Sequence, residues 1–252
     1  MTDLLALPVG TAWLAVVTVV FAGAVRGFAG FGLSAIIMAA LAPVVPPIDL
    51  IPVCWALEMV AATILTRGGY AEADRPAALT LTLTAFIGLP AGLAITRQLD
   101  PTGSGVLALL LILALCAAIL LGLRIPWLAT RAGTAAAGTG AGVAAGLAGV
   151  GGLAVALYAL VRDLPPRAMR GTLILYVLGG GLAAFLVFLA TGVLTAEAIR
   201  RAGILAIPAL LGTFLGRALF TPRWERFYKP FCLTLLIGLS ALGLIRLAMG
   251  GS

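Results

Sequence analysis

Nine stretches of this sequence run for fifteen residues or more with at most one charged side chain: 4–25, 27–48, 50–66, 76–96, 101–123, 132–161, 171–196, 202–216 and 230–245. A helix that crosses a bilayer needs about 20 largely apolar residues, so most of these runs are long enough. The run 202–216 is short, but Arg200, Arg201 and Arg217 can snorkel from its ends. A soluble fold of this length could not hide so much apolar surface. Of the 252 residues, 62% are hydrophobic and 10% are charged, against about 25% charged in a soluble domain. A soluble enzyme, a disordered tail and a nucleic-acid binder are excluded on that ground. The longest polar connections, near 67–75 and 217–229, cannot form a core of their own. The reading is a single polytopic, all-α membrane domain over residues 1–252.

The sparse charge is mostly basic, with a net value of +7. In a membrane protein such an excess usually marks Lys and Arg that hold loops on the cytoplasmic side. Histidine is absent, which removes the commonest metal ligand and the usual proton carrier near neutral pH. No metal or other cofactor is expected. Cys54, Cys116 and Cys232 lie inside apolar runs without CxxC spacing and are read as small core residues. The opening residues carry no basic n-region, so the first apolar run is read as an uncleaved span.

The chain also matches itself. At an offset of 119 residues, AGAVRGFAGFGL (22–33) falls on AGVAAGLAGVGG (141–152). Ala22, Gly23, Gly27, Ala29, Gly30 and Gly32 recur as Ala141, Gly142, Gly146, Ala148, Gly149 and Gly151. The register continues, since Pro46-Pro47 fall on Pro165-Pro166. With one more residue inserted, Gly92 and Arg97 fall on Gly212 and Arg217. Two homologous halves follow, internal repeats 4–123 and 132–248, each opened by a glycine-rich element. Thirty-odd residues of straight helix would span about 45 Å, too long for one crossing of a 30 Å core. The glycines at 27, 30 and 32, and at 146, 149, 151 and 152, offer a break. Duplication with interrupted helices at matching positions is a transporter signature. It points to a binding site near the membrane midplane.

The orientation of the halves turns on those two elements. If each broken element crosses once, every half has four crossings and the halves run parallel. If each folds back on itself, the number of crossings is odd and the halves are inverted. The inverted case puts Arg67, Arg75, Arg124, Arg131, Arg162, Arg167, Arg170, Arg217, Arg223, Arg226 and Lys229 on one side, and only Arg97, Arg200, Arg201 and Arg246 on the other. The parallel case divides the same residues seven against eight. The positive-inside rule favours inverted halves with both termini outside.

GFAGFG at 27–32 and AGLAGVGG at 145–152 resemble the glycine-rich segments of the sulfite exporter TauE/SafE family. The resemblance extends over nearly the whole chain. It takes in the repeat, the Pro-Pro after each glycine segment, the basic connection 67–75 and the stretch GTFLGRALFTPRWERFYKPF from Gly212. It implies about eight spans in two homologous halves. It also implies a bacterial inner-membrane permease for small anions such as sulfite, organosulfonates or related organic acids. One departure concerns the family's segment, which often ends in three glycines. Here the first copy reads Gly32-Leu33-Ser34 and the second Gly151-Gly152-Leu153.

The glycine segments have a physical use. A broken membrane helix frees backbone N–H groups at the start of its second half, and those groups together with the helix dipole attract anions. The substrate-binding candidates are therefore Gly27, Gly30, Gly32 and Ser34 at the first break and Gly149, Gly151 and Gly152 at the second. The competing reading is close helix packing through small residues. Arg26, whose counterpart is Ala145, stands beside the first break. It could hold a sulfonate or carboxylate bidentately, or serve as a loop charge at the membrane surface. Glu58 lies mid-span, with Val177 as its counterpart. It is the proton-coupling candidate, because a carboxylate taken out of water binds a proton more readily. Its other reading is a structural ion pair with Arg26. Trp55 shares the helix face of Glu58 and joins the substrate-binding set. Tyr158 and Tyr176 read as packed or interfacial aromatics. Arg162, Arg167 and Arg170 read as a topology anchor. Arg223, Trp224, Arg226, Phe227, Tyr228 and Lys229 read as an interfacial segment on anionic headgroups.

The expected function is secondary transport of small anions, with the anion and the lipid bilayer as partners, no nucleic acid, and a homo-oligomer left open. The alternatives are a passive anion channel or an intramembrane enzyme. Against an enzyme stand the lack of His, of clustered acids and of a serine nucleophile with a base. Channels are usually symmetric oligomers with one pore-lining motif, whereas this chain carries two glycine breaks of its own. No GxxxxGK[ST] motif is present to bind ATP.

Overall fold

The computed structural model describes residues 8–66, 72–122 and 125–219, together with 234, 237–238, 240–245 and 247–249. The expectations for Cys232, for the segment 223–229 and for Arg67, Arg124 and Arg246 fall outside the described residues. The helices in chain order are α1 (Val9–Ala29), α2 (Leu33–Leu41), α3 (Pro47–Leu65), α4 (Arg75–Gln98), α5 (Pro101–Leu120), α6 (Arg131–Ala148), α7 (Gly151–Val161), α8 (Pro166–Thr191) and α9 (Ala196–Leu219). A 3-10 turn, Pro126–Ala129, precedes α6, and no strand occurs among the described residues. Six of the helices (α1, α3, α4, α5, α8 and α9) are long and apolar enough to cross a membrane. Trp13, Leu83, Ile87, Leu182 and Ile207 point outward and stay exposed, an apolar surface suited to lipid. The protein is a multi-pass membrane protein.

Helix starts follow from local chemistry. Pro46-Pro47 and Pro165-Pro166 occupy the cap and first helical positions of α3 and α8. A missing N–H and a fixed φ do no harm there. Side chains cap four other starts. Asp74 accepts from the Ala77 amide at 3.1 Å, Asp100 from Gly103 at 3.1 Å, Thr130 from Gly133 at 3.0 Å and Thr195 from Ala198 at 3.1 Å.

Both glycine-rich elements break at matching places. α1 ends in Gly30 at φ +82°, and Gly32 at φ +98° starts α2. α6 ends in Gly149 at φ +67°. A side chain in this left-handed region meets the following carbonyl, at about 1–2 kcal/mol, so glycine is the natural occupant. The second break needs only one such residue. Gly151 and Gly152 already belong to α7, entered through Val150 at φ −104°.

After its break, α7 turns back along α6. Tyr158 shares a 2.8 Å hydrogen bond with Thr134 in the first turn of α6, although 24 residues separate them. As continuous helix that interval would be about 36 Å long. Gly151 packs against Ala141 and Ala145 at the inner end of the same pair. The second element is thus a helical hairpin. At the first element, Arg217 near the end of α9 donates to the Ile64 carbonyl at the end of α3 (3.1 Å). α1 runs in the same direction as α9 and so points toward that face. α2 instead ends beside the start of α5, with Gly105 against the Ala42 carbonyl.

Two helix pairs hold the bundle together. Gly23 and Gly27 of α1 lie on the backbone of Ala209 and Thr213, while Gly212 and Gly216 of α9 lie on Val20 and Ala24. Gly142 and Gly146 of α6 lie on Ala85 and Leu89, while Gly88 and Gly92 of α4 lie on Thr139 and Val143. A methyl at any of these glycines would overlap a carbonyl oxygen of the neighbouring helix. In lipid, hydrophobic burial does not drive helices together. Association rests on close van der Waals contact between small residues. Positions matched by the 119-residue offset (Gly23 with Gly142, Gly27 with Gly146) make matching contacts. Each pair joins a helix from one half of the chain to a helix from the other.

Candidate functional site

α2 begins without a side-chain cap of its own. Its first turn is served by a carboxylate from α3. Ser34 donates to Glu58 Oε1 through its amide at 3.3 Å and through its hydroxyl at 2.9 Å. On the other side, Arg26 Nε stands 2.8 Å from Glu58 Oε2. The Arg26 side chain is 1% exposed and that of Glu58 13%. Arg26 is therefore a buried charge with a partner and not a loop charge at the membrane surface. Two ions leave water here at a desolvation cost of several kcal/mol each. Mutual attraction, the two bonds from Ser34 and the positive end of the α2 dipole offset that cost. Arg26 Nε and Nη2 are buried and have no hydrogen-bond partner among the described residues, so the Nε contact with Glu58 is an ion pair without hydrogen-bond alignment.

Gly27 and Gly30 have a different neighbour. Arg170, reaching across from α8, donates to the Gly27 carbonyl at 3.1 Å, one of the acceptors left free at the end of α1. A Cβ on Gly30 would stand 2.8 Å from Arg170 Cγ, so the glycine makes room for this arginine. The corresponding carbonyl at the second break, Gly146, accepts from the Thr96 hydroxyl at 3.0 Å. Arg170 was read from sequence as a topology anchor. The signal that could have revealed it is indirect: a broken helix leaves carbonyls that need a donor, and none stands nearby in the first half.

A cavity of about 100 Å³ lies between the two breaks. Ser34, Trp55 and Glu58 line it from the first half, and Gly149, Gly151 and Gly152 from the second. Six of the ten sequence candidates therefore line one cavity. Arg26 sits behind Glu58, and Gly27, Gly30 and Gly32 shape the first break without lining the cavity. The volume suits a small anion or a few waters. The amides of Gly151 and Gly152 are the first two of α7 and have no carbonyl of that helix within reach. Nothing stands within 4 Å of where a Gly152 side chain would begin, and Gly152 lines the cavity.

Aromatic groups complete the wall. Trp55 stacks on Phe185 (centroids 6.0 Å apart, planes at 23°) and meets Phe188 edge-on at 5.6 Å. Tyr176 places its hydroxyl beside Gly151. Sequence reasoning took Tyr176 for a packing residue, and only the fold brings it to the amino terminus of α7. At the mouth of the α6–α7 hairpin, Arg162 bonds Asp74 at 2.9 Å and Tyr158 at 3.0 Å, and Thr172 accepts from the Asp74 amide at 3.0 Å. Burial works against the Arg162 charge, but the Tyr158 phenol and the Asp74 carboxylate outweigh it and hold its pKa above the ordinary value. This cluster ties the start of α4 to the second half. Of the three residues read as an anchor, Arg162 and Arg170 are built into the fold, while Arg167 makes an exposed pair with Glu72 at 3.4 Å.

A comparison with protein families matches residues 15–243 to "Sulfite exporter TauE/SafE". No curated protein and no solved structure matches the chain.

Proposed function

The chain belongs to the sulfite exporter TauE/SafE family, a family of membrane transporters, and we propose that it carries sulfite or a chemically similar small anion across the inner membrane of a bacterium. The observation that supports this most is the open amino terminus of α7. Gly151 and Gly152 there line a cavity that Ser34, Trp55 and Glu58 line from the other half of the chain. A helix amino terminus with free amides attracts an anion through N–H donation and the dipole, and the apolar surroundings strengthen both. In this reading the anion sits at the second break, while Arg26, Ser34 and Glu58 form a fixed charge cluster at the first. Glu58 is the proton-coupling candidate, because protonation would release Arg26 and the α2 amino terminus from their carboxylate partner.

The two halves are proposed as inverted repeats, 4–123 and 132–248, whose glycine-broken elements are re-entrant. The α6–α7 hairpin and the return of α2 toward the start of α5 support this reading. So does the charge count, which puts the basic residues of the 66–74 and 121–130 connections on the cytoplasmic side. A reporter fused ahead of α1 should be active only outside the cytoplasm. Activity confined to the cytoplasm would sink the inverted arrangement.

Anion flux in proteoliposomes tests the function itself. Sulfite, a sulfonate and a carboxylate are offered with and without a pH gradient, against protein-free vesicles. Protein-dependent flux of at least one is expected. No flux under any gradient would overturn the transport reading. Glu58→Gln then isolates coupling: the pH dependence should vanish, and its survival would remove Glu58 from the proton path. A channel would pass the anion downhill only, without counterflow of trapped substrate.

A further inference from the structure

We propose that Tyr176 and Trp55 are the side-chain donors of an oxyanion subsite at the amino terminus of α7, and that they set the preference for oxygen-bearing anions over halides. The proposal rests on the transport reading above and deepens it. Tyr176 is 8% exposed. Its hydroxyl lies beside Gly151. Trp55 Nε1 is buried and has no hydrogen-bond partner among the described residues. Both residues line the same cavity. A buried donor without an acceptor is costly, and folded proteins rarely leave one without a reason. Trp55 Nε1 is such a donor, and with the Tyr176 hydroxyl and two helix-terminal glycines around the same small cavity it indicates a missing acceptor.

The surroundings say what kind of acceptor fits. The one carboxylate in the wall, Glu58, already accepts from Ser34 on one oxygen and forms an ion pair with Arg26 through the other. The remaining lining is apolar apart from the Thr82 hydroxyl. The cavity is therefore rich in donors and poor in acceptors. The two side-chain donors enter from different helices, α3 and α8, and the amides from a third. A ligand with several separated oxygens, such as sulfite or a sulfonate, can accept from more than one of them at once. A halide offers a single centre. Gly151 has a specific part in this, since a Cβ there would stand 2.9 Å from the Tyr176 hydroxyl and push it away.

The experiment uses Tyr176→Phe and Trp55→Phe, which keep the aromatic packing and delete one donor each. Sulfite is the probe oxyanion and bromide the probe halide, both read by proteoliposome flux and by the shift each gives to the melting temperature in detergent. Each variant should melt with the unliganded wild type. Each should need about tenfold more sulfite for half-maximal flux and for half of the melting shift, with its response to bromide unchanged. Unaltered sulfite affinity in both variants overturns the proposal, as does equal weakening of sulfite and bromide. If the wild type moves no anion, the transport reading fails. The subsite is then judged by the melting shift alone: one given by sulfite to the wild type and lost in Tyr176→Phe keeps it, and no shift in the wild type removes it.

Discussion

At the first glycine break a carboxylate belonging to the chain sits on the amino terminus of α2. At the second, the amino terminus of α7 faces a cavity. The two breaks share a backbone plan, with a left-handed glycine ending the leading helix and a short helix following. Their side chains diverge. Arg26, Ser34 and Glu58 correspond at 119 residues' distance to Ala145, Leu153 and Val177. The first half thus holds a carboxylate of its own in a buried ion pair, whereas in the proposed reading the second offers its amides to a ligand. The capping of the leading helices differs in the same sense. The Gly27 carbonyl is held by the charged Arg170 and the Gly146 carbonyl by the neutral Thr96.

Substitutions at the two breaks should expose this difference in order of size. Arg26→Met strands Glu58 as a buried, unpaired charge and should destabilise the protein by about 3–5 kcal/mol in detergent unfolding. The double variant Arg26→Met/Glu58→Met should recover most of that. If the single and double variants unfold alike, the pair is not the fixed cluster described here. Next come the left-handed glycines. Gly149→Ala should cost about 1–2 kcal/mol from backbone strain alone, since its nearest neighbour, Cys54 Cβ, is 3.5 Å from the new methyl. Gly30→Ala carries the same strain plus displacement of Arg170 and should cost more. The reverse order would contradict the Arg170 contact. Thr96→Val removes one hydrogen bond to the end of α6 and should cost about 1 kcal/mol. Arg167→Gln, which breaks an exposed pair, should change stability by no more than about 0.5 kcal/mol, and less still at high salt.

The parts of this picture that were legible in the sequence are those with few physical solutions. A charge-free run of membrane length has to be a span. Glycines repeated in register inside an over-long run have to be a break, and Gly30, Gly32 and Gly149 are one. A lone arginine and a lone glutamate in apolar surroundings have to find a partner, and Arg26 and Glu58 find each other. Arg170 and Tyr176 were hidden for the opposite reason. An arginine after Pro-Pro serves most often at the membrane surface, and a tyrosine in a span most often packs. Their roles depend on the crossing of helices from different halves. Arg170 and Gly27 are 143 residues apart, and no local pattern encodes that meeting. The same holds for the distinction between the two breaks. Gly32 and Gly151 look equivalent along the chain, yet one caps a helix over Glu58 and the other gives way to a tyrosine hydroxyl.

The most direct measurement is sulfite flux into proteoliposomes by the wild type and by Gly152→Ala, with unfolding of both followed in parallel. Gly152 is helical and has open space where a side chain would begin. Alanine there should leave stability unchanged or raise it by up to about 1 kcal/mol. Its methyl enters the cavity beside the α7 amides and should reduce flux about tenfold or more. Undiminished flux through a stable Gly152→Ala protein would contradict the placement of the anion at the second break.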